Sequence, residues 1–515
     1  MRLQPIVHPF LLALFPVLFL FSHNMEQLSP RVMVAPATVL LAGALILWSL
    51  LTLLLKDAKR AGLLVSIGLL LFFSYGHVSG LVVSSASGEP GGLRHRHLLA
   101  LWTGLFALGA YFSLRARANV SGLNKFLNLA AAFAVAFPLA SMAVYEARSA
   151  AARQPGGAHG GDVTPLRPTG ELPHLYYIIL DEYAGDDILR DMYGYDNRPF
   201  LDSLSHRGFY VARGARSNYH FTHLSLASSL NLSYLAGTDS WKRDIKNNRV
   251  FRALRKCGYT IVGFSSETSY TDLRNVDLYM RPDWSFSEFQ NQLINATPLF
   301  LVTSRLFEPV ALHRRHISYT LEHLPDPAGS RDPAFVFAHI LCPHPPFVFN
   351  EDGSPAGGGD PLRFDDTSHT RDTTLVDEYV GGYRKQVAFL NQRLTAVVDS
   401  ILSASSRPCV IILQADHGPR AAFYPDDIQK SYLRERFSIL NAYYFPRGDY
   451  SELYQSISPV NTFRVIFNRY FGAEYELLDD RCFLTPPEAP NTLLEVTAAV
   501  VDRSAADSSA AAPPR

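Results

Sequence analysis

Five long apolar runs crowd the first 147 residues of the 515-residue chain, at roughly 6–22, 33–55, 63–84, 98–114 and 127–146. Each approaches the roughly 17–25 residues that a helix needs to span hydrocarbon, where backbone polar groups have to be satisfied within the segment. The runs predict five transmembrane helices forming an anchor over residues 1–147. The first run, Arg2 followed by Ile6–Phe21, also has the outline of a cleaved signal peptide. Cleavage there leaves the orientation of the other spans unchanged.

Lys and Arg in short loops stay on the cytoplasmic side. Arg2, Lys56, Lys59, Arg60, Arg115, Arg117 and Lys125 fall on one side of the five spans, and Arg31, Arg94 and Arg96 on the other. Seven against three puts the amino terminus inside. An odd number of crossings then delivers everything after residue 147 to the outer face, the periplasm or exterior of a bacterial inner (cell) membrane. With 47 basic and 47 acidic residues the formal net charge is zero, and nothing points to nucleic acid.

Residues 148–172, with the Gly-rich stretch Gln154–Asp162 and several prolines, read as a flexible linker. From Pro173 onward, β-like runs (Tyr176–Leu180, Tyr259–Phe264, Phe335–Leu341, Val410–Gln414, Ile439–Phe445) alternate with helix-like stretches (Pro199–Arg207, Val250–Lys256, Val376–Leu402). This alternation predicts a layered α/β domain over 173–485. Residues 351–372 read as a long loop, and 486–515 as a tail, partly disordered, ending in an Ala/Ser/Pro run over 503–515. Cys257, Cys342, Cys409 and Cys482 lack the close pairing of zinc fingers. An exported domain is free to form a disulfide, but the spacing assigns no partners. Cys342 reads as a small buried residue at a strand end rather than a nucleophile.

Four stretches far apart in sequence carry chemistry. Asp181 and Glu182 close the run Tyr176–Leu180, and Asp416-His417-Gly418 follows Val410–Gln414. Open α/β sheets bind ligands at the carboxyl ends of their strands, where both stretches fall. A carboxylate with an imidazole is a donor set for a divalent cation that polarises an oxyanion and lowers a hydroxyl pKa. Read blandly, Asp-His-Gly is a surface turn, and Asp181 with Glu182 caps the next helix. Asp181 is the expected ligand and Glu182 a second contact; Gly418 suits a turn too crowded for a larger side chain.

Thr222 precedes the small and apolar stretch Leu224–Leu230, so its hydroxyl falls at a helix amino terminus, which favours anions. A hydroxyl held there on a metal can attack phosphorus and give a phospho-threonine. Ser225 is the rival nucleophile, and a plain helix cap the bland reading. His344, stiffened by Pro343, Pro345 and Pro346, is placed to protonate a leaving alkoxide or hold a phosphate oxygen. His220 and His223 flank Thr222, and His223 is a further candidate for the site. His339, inside its strand, reads as buried rather than catalytic.

With Pro199–Leu204, Arg207-Gly-Phe209 and Phe251–Tyr259 as supporting stretches, residues 173–485 resemble the sulfatase and alkaline phosphatase superfamily. Among its branches the chain is most similar to the membrane-anchored lipoteichoic acid synthases and lipid A phosphoethanolamine transferases. The resemblance implies a mixed β-sheet sandwiched by helices. It also implies Asp181, Thr222, Asp416 and His417 around one divalent metal ion, Mn²⁺ or Zn²⁺, with Thr222 as nucleophile and His344 as the substrate-binding histidine. Asp181 stands where the transferases usually carry Glu, and Pro345 departs from their His-Gly-Pro or His-Asn-Pro segment. The stretch Thr222–Leu226 lacks the Cys/Ser-x-Pro-x-Arg of true sulfatases, and no histidine follows His417 to complete a two-metal phosphatase site.

The implied activity is transfer of a phosphoglycerol or phosphoethanolamine head group from a membrane phospholipid donor, through phospho-Thr222, to a surface glycan or lipid acceptor. Water in place of that acceptor makes the chain a phosphodiesterase or ester hydrolase. A non-catalytic envelope protein retaining the fold is the third reading, separated from the others by the lack of any bound divalent ion.

Overall fold

The computed structural model describes residues 5–25, 30–82, 95–115, 120–152, 166–235, 245–268, 270–282, 288–306, 309–356, 375–425, 427–486, 489 and 492–501. Most of the linker, the loop from 357 and the tail from 502 lie outside the described residues. The chain forms two compact units, one of residues 1–161 with Phe286–Glu308, the other of residues 162–285 with 309–515.

In the first unit a helix stands at each of the five apolar runs: α1 (His8–His23), α2 (Val34–Leu55), α3 (Ala58–Val82), α4 (His95–Arg115) and α5 (Val120–Ala152). The last four contain segments long and apolar enough to cross a membrane, and α1, at 16 residues, is shorter. Helix α3 starts before its apolar run because Asp57 caps it. The Asp57 carboxylate accepts from the N–H groups of Lys59 (3.0 Å) and Arg60 (3.2 Å), so two basic residues enter the first turn.

Helix α1 is built into this unit. Ala13 packs with Ala44 of α2 and Val65 of α3, while Val17 and Phe21 bury against Phe289 and Leu293 of the segment Phe286–Glu308. His8 is fully buried, with Nδ1 2.6 Å from Ser66 Oγ of α3 and Nε2 2.8 Å from Asn124 Oδ1 of α5. A buried imidazole so partnered ties α1 to both helices.

The second unit is built on a seven-stranded mixed sheet. In chain order the strands are β1 (His174–Leu180), β2 (Tyr210–Val211), β3 (Thr260–Phe264), β4 (Leu278–Met280), β5 (Ala334–Ile340), β6 (Cys409–Gln414) and β7 (Asn441–Tyr444). Their spatial order is β2-β7-β6-β1-β5-β3-β4, with the β7 pairings antiparallel and the others parallel. Strands β1, β5 and β6 are buried along their whole length, as parallel strands covered on both faces are. Neighbours β7, β6, β1, β5 and β3 are the five runs expected from the sequence.

One sheet face is covered by the helices Thr222–Ser229, Arg249–Lys256 and Pro459–Phe471. Tyr177 donates to Ser229 Oγ (3.1 Å) and meets Phe463 edge-on at 4.9 Å, and Phe251 meets Phe337 at 6.0 Å. The 29-residue helix Val376–Ala404 adds a stripe of Tyr379, Tyr383, Val387, Leu390, Leu394, Val398 and Ile401 to the same core. All four cysteines are free. Cys342 is fully buried, and burial, with the Asp181 charge behind it, pushes its thiol well above the usual range.

Candidate active site

The register brings the chemistry together. Ile179 pairs with both His339 of β5 and Gln414 of β6, and Asp181 and Asp416 lie two residues beyond that row. With a period of two, all of these project to the face that carries the helix Thr222–Ser229. The Asp181 N–H continues the ladder to the Ile340 carbonyl (3.0 Å), and the Ala415 N–H donates to the Leu440 carbonyl (2.9 Å). Both turns are thereby fixed at the sheet edge. A Cβ on Gly418 would lie 2.0 Å from the Glu435 carbonyl oxygen, so the crowding expected there is present.

Asp181, Thr222, His339, Asp416 and His417 are all buried. Thr222 Oγ1 lies 3.0 Å from His417 Nε2, and that nitrogen is 3.3 Å from Asp416 Oδ2 and 4.0 Å from Asp181 Oδ1. His339 Nε2 is 3.4 Å from Asp181 Oδ2. Asp416 Oδ1 accepts from the N–H groups of Glu182 (3.3 Å) and His417 (3.0 Å). Its Oδ2, Asp181 Oδ1 and His339 Nε2 have no hydrogen-bond partner among the described residues.

Such orphaned atoms are costly, the more so on two neighbouring carboxylates. Burial, and then the Asp181 charge, push the Asp416 carboxyl up to about 7. Asp181, His339 and Asp416 offer ligand atoms that all lie within 4.8 Å of one another, a grouping able to hold a metal ion.

The tautomer of His417 follows from its partners. Arg436 Nη2 points at Nε2 from 3.3 Å and can only donate, so Nε2 carries a lone pair and Nδ1–H faces the Gly418 carbonyl at 3.2 Å. Burial and the Arg436 charge hold this imidazole well below its usual pKa, so it is neutral. A neutral Nε2 is what a metal ligand or a hydroxyl acceptor requires.

Glu182 lies behind the cluster. Its backbone is left-handed, at φ 63°, a conformation rarely taken by a non-glycine residue. The turn aims a fully buried carboxylate at Arg420 (Nε 2.8 Å) and Arg436 (Nη1 2.7 Å). Burial opposes its ionisation, but Arg420, His344 and Arg436 outweigh that and hold it below the usual carboxylate range. Glu182 therefore positions Arg436, which in turn sets the proton on His417.

His344 reaches this edge through its backbone, whose N–H donates to the Asp181 carbonyl at 3.1 Å. Gln386 clamps the turn by donating to the carbonyls of Pro343 and His344, both at 3.2 Å. His344 Nε2 lies 3.9 Å from Glu182 Oε1.

Ser225 has another role. Its Oγ is 2.7 Å from the Asp416 carbonyl and 3.0 Å from the Tyr219 carbonyl, which ties the helix to the turn. Ser225→Ala is expected to lower stability by about 1 kcal/mol and to leave chemistry at Thr222 in place, checked by a denaturant melt and by intact mass. His220 is buried beside Thr222 with Nε2 3.3 Å from Thr485 Oγ1, and the His223 ring stacks on Phe221.

The sequence assigns His339 a buried place inside its strand and gives Arg420 and Arg436 no role, yet all three stand at the cluster. The available signal for His339 was its place as the one ionisable residue in β5, next to last. The two arginines offered none, because their segment has no periodic pattern.

No family model and no curated relative matches the sequence. Among solved structures the chain is similar to the C-terminal periplasmic domain of EptC from Escherichia coli in complex with zinc, at 13% identity over 65% of this chain and 96% of that one, TM-score 0.42. It is similar to phosphonate monoester hydrolase of Agrobacterium radiobacter, at 13% identity over 61% of this chain and 80% of that one, TM-score 0.39. It is also similar to the integral membrane lipooligosaccharide phosphoethanolamine transferase A from Neisseria meningitidis, at 13% identity over 89% of this chain and 94% of that one, TM-score 0.36.

Proposed function

We propose that the chain is a membrane-anchored, metal-dependent transferase of the sulfatase-like type. It moves a phospho-head group of phosphoglycerol or phosphoethanolamine kind from a phospholipid, through phospho-Thr222, to an envelope glycan or lipid. The reading rests on one observation above the rest: a threonine hydroxyl at a helix amino terminus, 3.0 Å from a neutral His417 Nε2, beside two buried carboxylates with orphaned oxygens. In this reading the anchor lies in a bacterial inner membrane and the α/β unit faces outward.

Asp181, Thr222, Asp416 and His417 would hold one divalent ion, with His339 Nε2 also in reach of the two carboxylates. Mixed oxygen and nitrogen donors suit Zn²⁺ or Mn²⁺. The ion, when bound, supplies Lewis acidity that lowers the hydroxyl pKa and offsets the carboxylate charges. The protein's own groups do the rest. Without the ion, Thr222 Oγ1 donates to His417 Nε2 at 3.0 Å; with it bound, that lone pair would go to the ion and the hydroxyl would be held beside it. The helix dipole favours negative charge at that end, and His344 holds a phosphate oxygen from the Pro-rich turn.

Full-length protein in vesicles of phosphatidylethanolamine and phosphatidylglycerol tests this. Intact mass is expected to rise by one phospho-head group, placed on Thr222 by peptide sequencing, and turnover is expected to need an added hydroxyl acceptor. Release of free phospho-head group without acceptor would make the chain a phosphodiesterase. An unmodified protein that binds no Zn²⁺ or Mn²⁺ would make it non-catalytic.

A further inference from the structure

The segment Phe286–Glu308 groups with the helical anchor, although in sequence it lies between β4 and the helix Pro309–His323. No residue from Phe289 to Ser304 is charged, a run too short to span hydrocarbon and long enough to lie in its surface. Phe289 and Leu293, on the helix Glu288–Asn295, bury against Val17 and Phe21 in the second half of α1. Near the end of α3 the Gly76 N–H donates to the Ala296 carbonyl at 3.0 Å, and a Cβ on Gly76 would lie 2.0 Å from the Asn295 carbonyl oxygen. Phe300 meets Tyr75 of α3 at 6.2 Å and His95, the first residue of α4, at 5.3 Å. The segment is thus seated on α1, α3 and α4 at one end of the bundle. There α5, whose Asn124 and Asn128 bond the start of α1, also finishes.

The side of the segment turned outward is apolar. Leu299 is 48% and Val302 52% exposed, three apart and so on one face where the helix Phe300–Leu306 begins. Phe300 between them rests on His95, and Leu99, one turn along that face of α4, is an exposed residue of a helix apolar enough to cross a membrane. Leu299 and Val302 therefore extend the apolar outer surface of α4, which sets them apart from scattered surface residues. The backbone is closed as hydrocarbon requires, because every N–H from Ala296 to Thr303 bonds within the segment. Thr297 closes the turn at Pro298: its Oγ1 accepts from the Leu299 N–H at 3.2 Å and donates to the Ile294 carbonyl at 2.8 Å.

We infer that Phe286–Glu308 lies in the plane of the membrane and that its partner is the acyl region of the leaflet at that end of the anchor, with Leu299 and Val302 among the lipid chains. The chain is then held to the bilayer at two places, by its spans and by this insertion. Two-chain phospholipids meet protein there at the depth of their acyl chains, a contact that a water-soluble head-group analogue does not make. The inference rests on the spans crossing a membrane and is independent of the chemistry at Thr222.

Photolabelling from within the bilayer tests this. Full-length protein in phosphatidylethanolamine–phosphatidylglycerol vesicles that also carry a phospholipid with a diazirine in one acyl chain is irradiated, and adducts are placed by peptide mass spectrometry. Adducts are expected on Leu299 and Val302, and on Leu101 of α4, which is 54% exposed and serves as the positive control. Leu477 and Leu494, exposed at 39% and 49% in the α/β unit, should carry none. Unlabelled Leu299 and Val302 beside a labelled Leu101 overturn the inference and leave that face to a protein partner. Labelling of Leu477 and Leu494 at the same yield overturns it as well, since apolar exposure alone would then account for the adducts. An unlabelled Leu101 overturns the membrane reading of the anchor itself.

Discussion

Thr222→Ala is expected to lower turnover of lipid donor about 10⁴-fold or more, a magnitude seen when a covalent nucleophile is deleted. No phospho-adduct should appear by intact mass. The fold should survive, because the hydroxyl lies 3.0 Å from His417 Nε2 and a net hydrogen bond contributes about 1 kcal/mol. Thr222→Ser keeps an oxygen at the helix start and is expected to retain a measurable adduct. Turnover by Thr222→Ala at the wild-type rate would remove the threonine from the chemistry.

Asp416→Asn is expected to move activity and stability in opposite directions. Its Oδ2 is orphaned beside Asp181, and burial followed by the Asp181 charge raises its carboxyl to about 7. Above that pH the ion-free folded state holds a buried charge that it disfavours relative to the unfolded chain. Replacing the carboxylate with an amide relieves the repulsion while keeping Oδ1 as acceptor for the N–H groups of Glu182 and His417. Metal-free Asp416→Asn should therefore be more stable than metal-free wild type by about 1–3 kcal/mol at pH 8, measured by urea unfolding in the presence of chelator. The same variant should lose the stabilisation that added Zn²⁺ or Mn²⁺ gives wild type, since a ligand that binds only the native state raises its stability. Activity should fall about 10³-fold or more. A variant less stable than wild type without metal would mean that the two carboxylates do not repel across the site.

Much of this was legible in the sequence, for physical reasons. The central strands are buried on both faces, so Tyr176–Leu180, Phe335–Leu341 and Val410–Gln414 stand out as apolar runs, and β1, β5 and β6 match them to within two residues. The short edge strands Tyr210–Val211 and Leu278–Met280 carry no such pattern and were not foreseen. The anchor helices were visible as hydropathy, but their polar first turns were not: α3 begins at Ala58 because Asp57 caps it, well before the apolar run at 63. Nor does hydropathy indicate that Phe286–Glu308 groups with the anchor, since the contacts of Phe289 and Leu293 with Val17 and Phe21 are long-range.

At the site, Asp181, Asp416 and His417 were readable because a carboxylate directly after an apolar strand is conspicuous. His339 was set aside on the ground that it is buried, yet every other member of the cluster is buried too. Glu182 read as a second contact at the metal, and it lies behind the cluster between Arg420 and Arg436, whose approach depends on a backbone turn at φ 63° that no local pattern announces.

The most direct measurement is anomalous diffraction from crystals of the full chain grown with Zn²⁺ or Mn²⁺. The account predicts one peak at about 2.0–2.2 Å from a carboxylate oxygen of Asp181, a carboxylate oxygen of Asp416, His417 Nε2 and Thr222 Oγ1. A peak bound elsewhere, or no peak in crystals saturated with either ion, would contradict it.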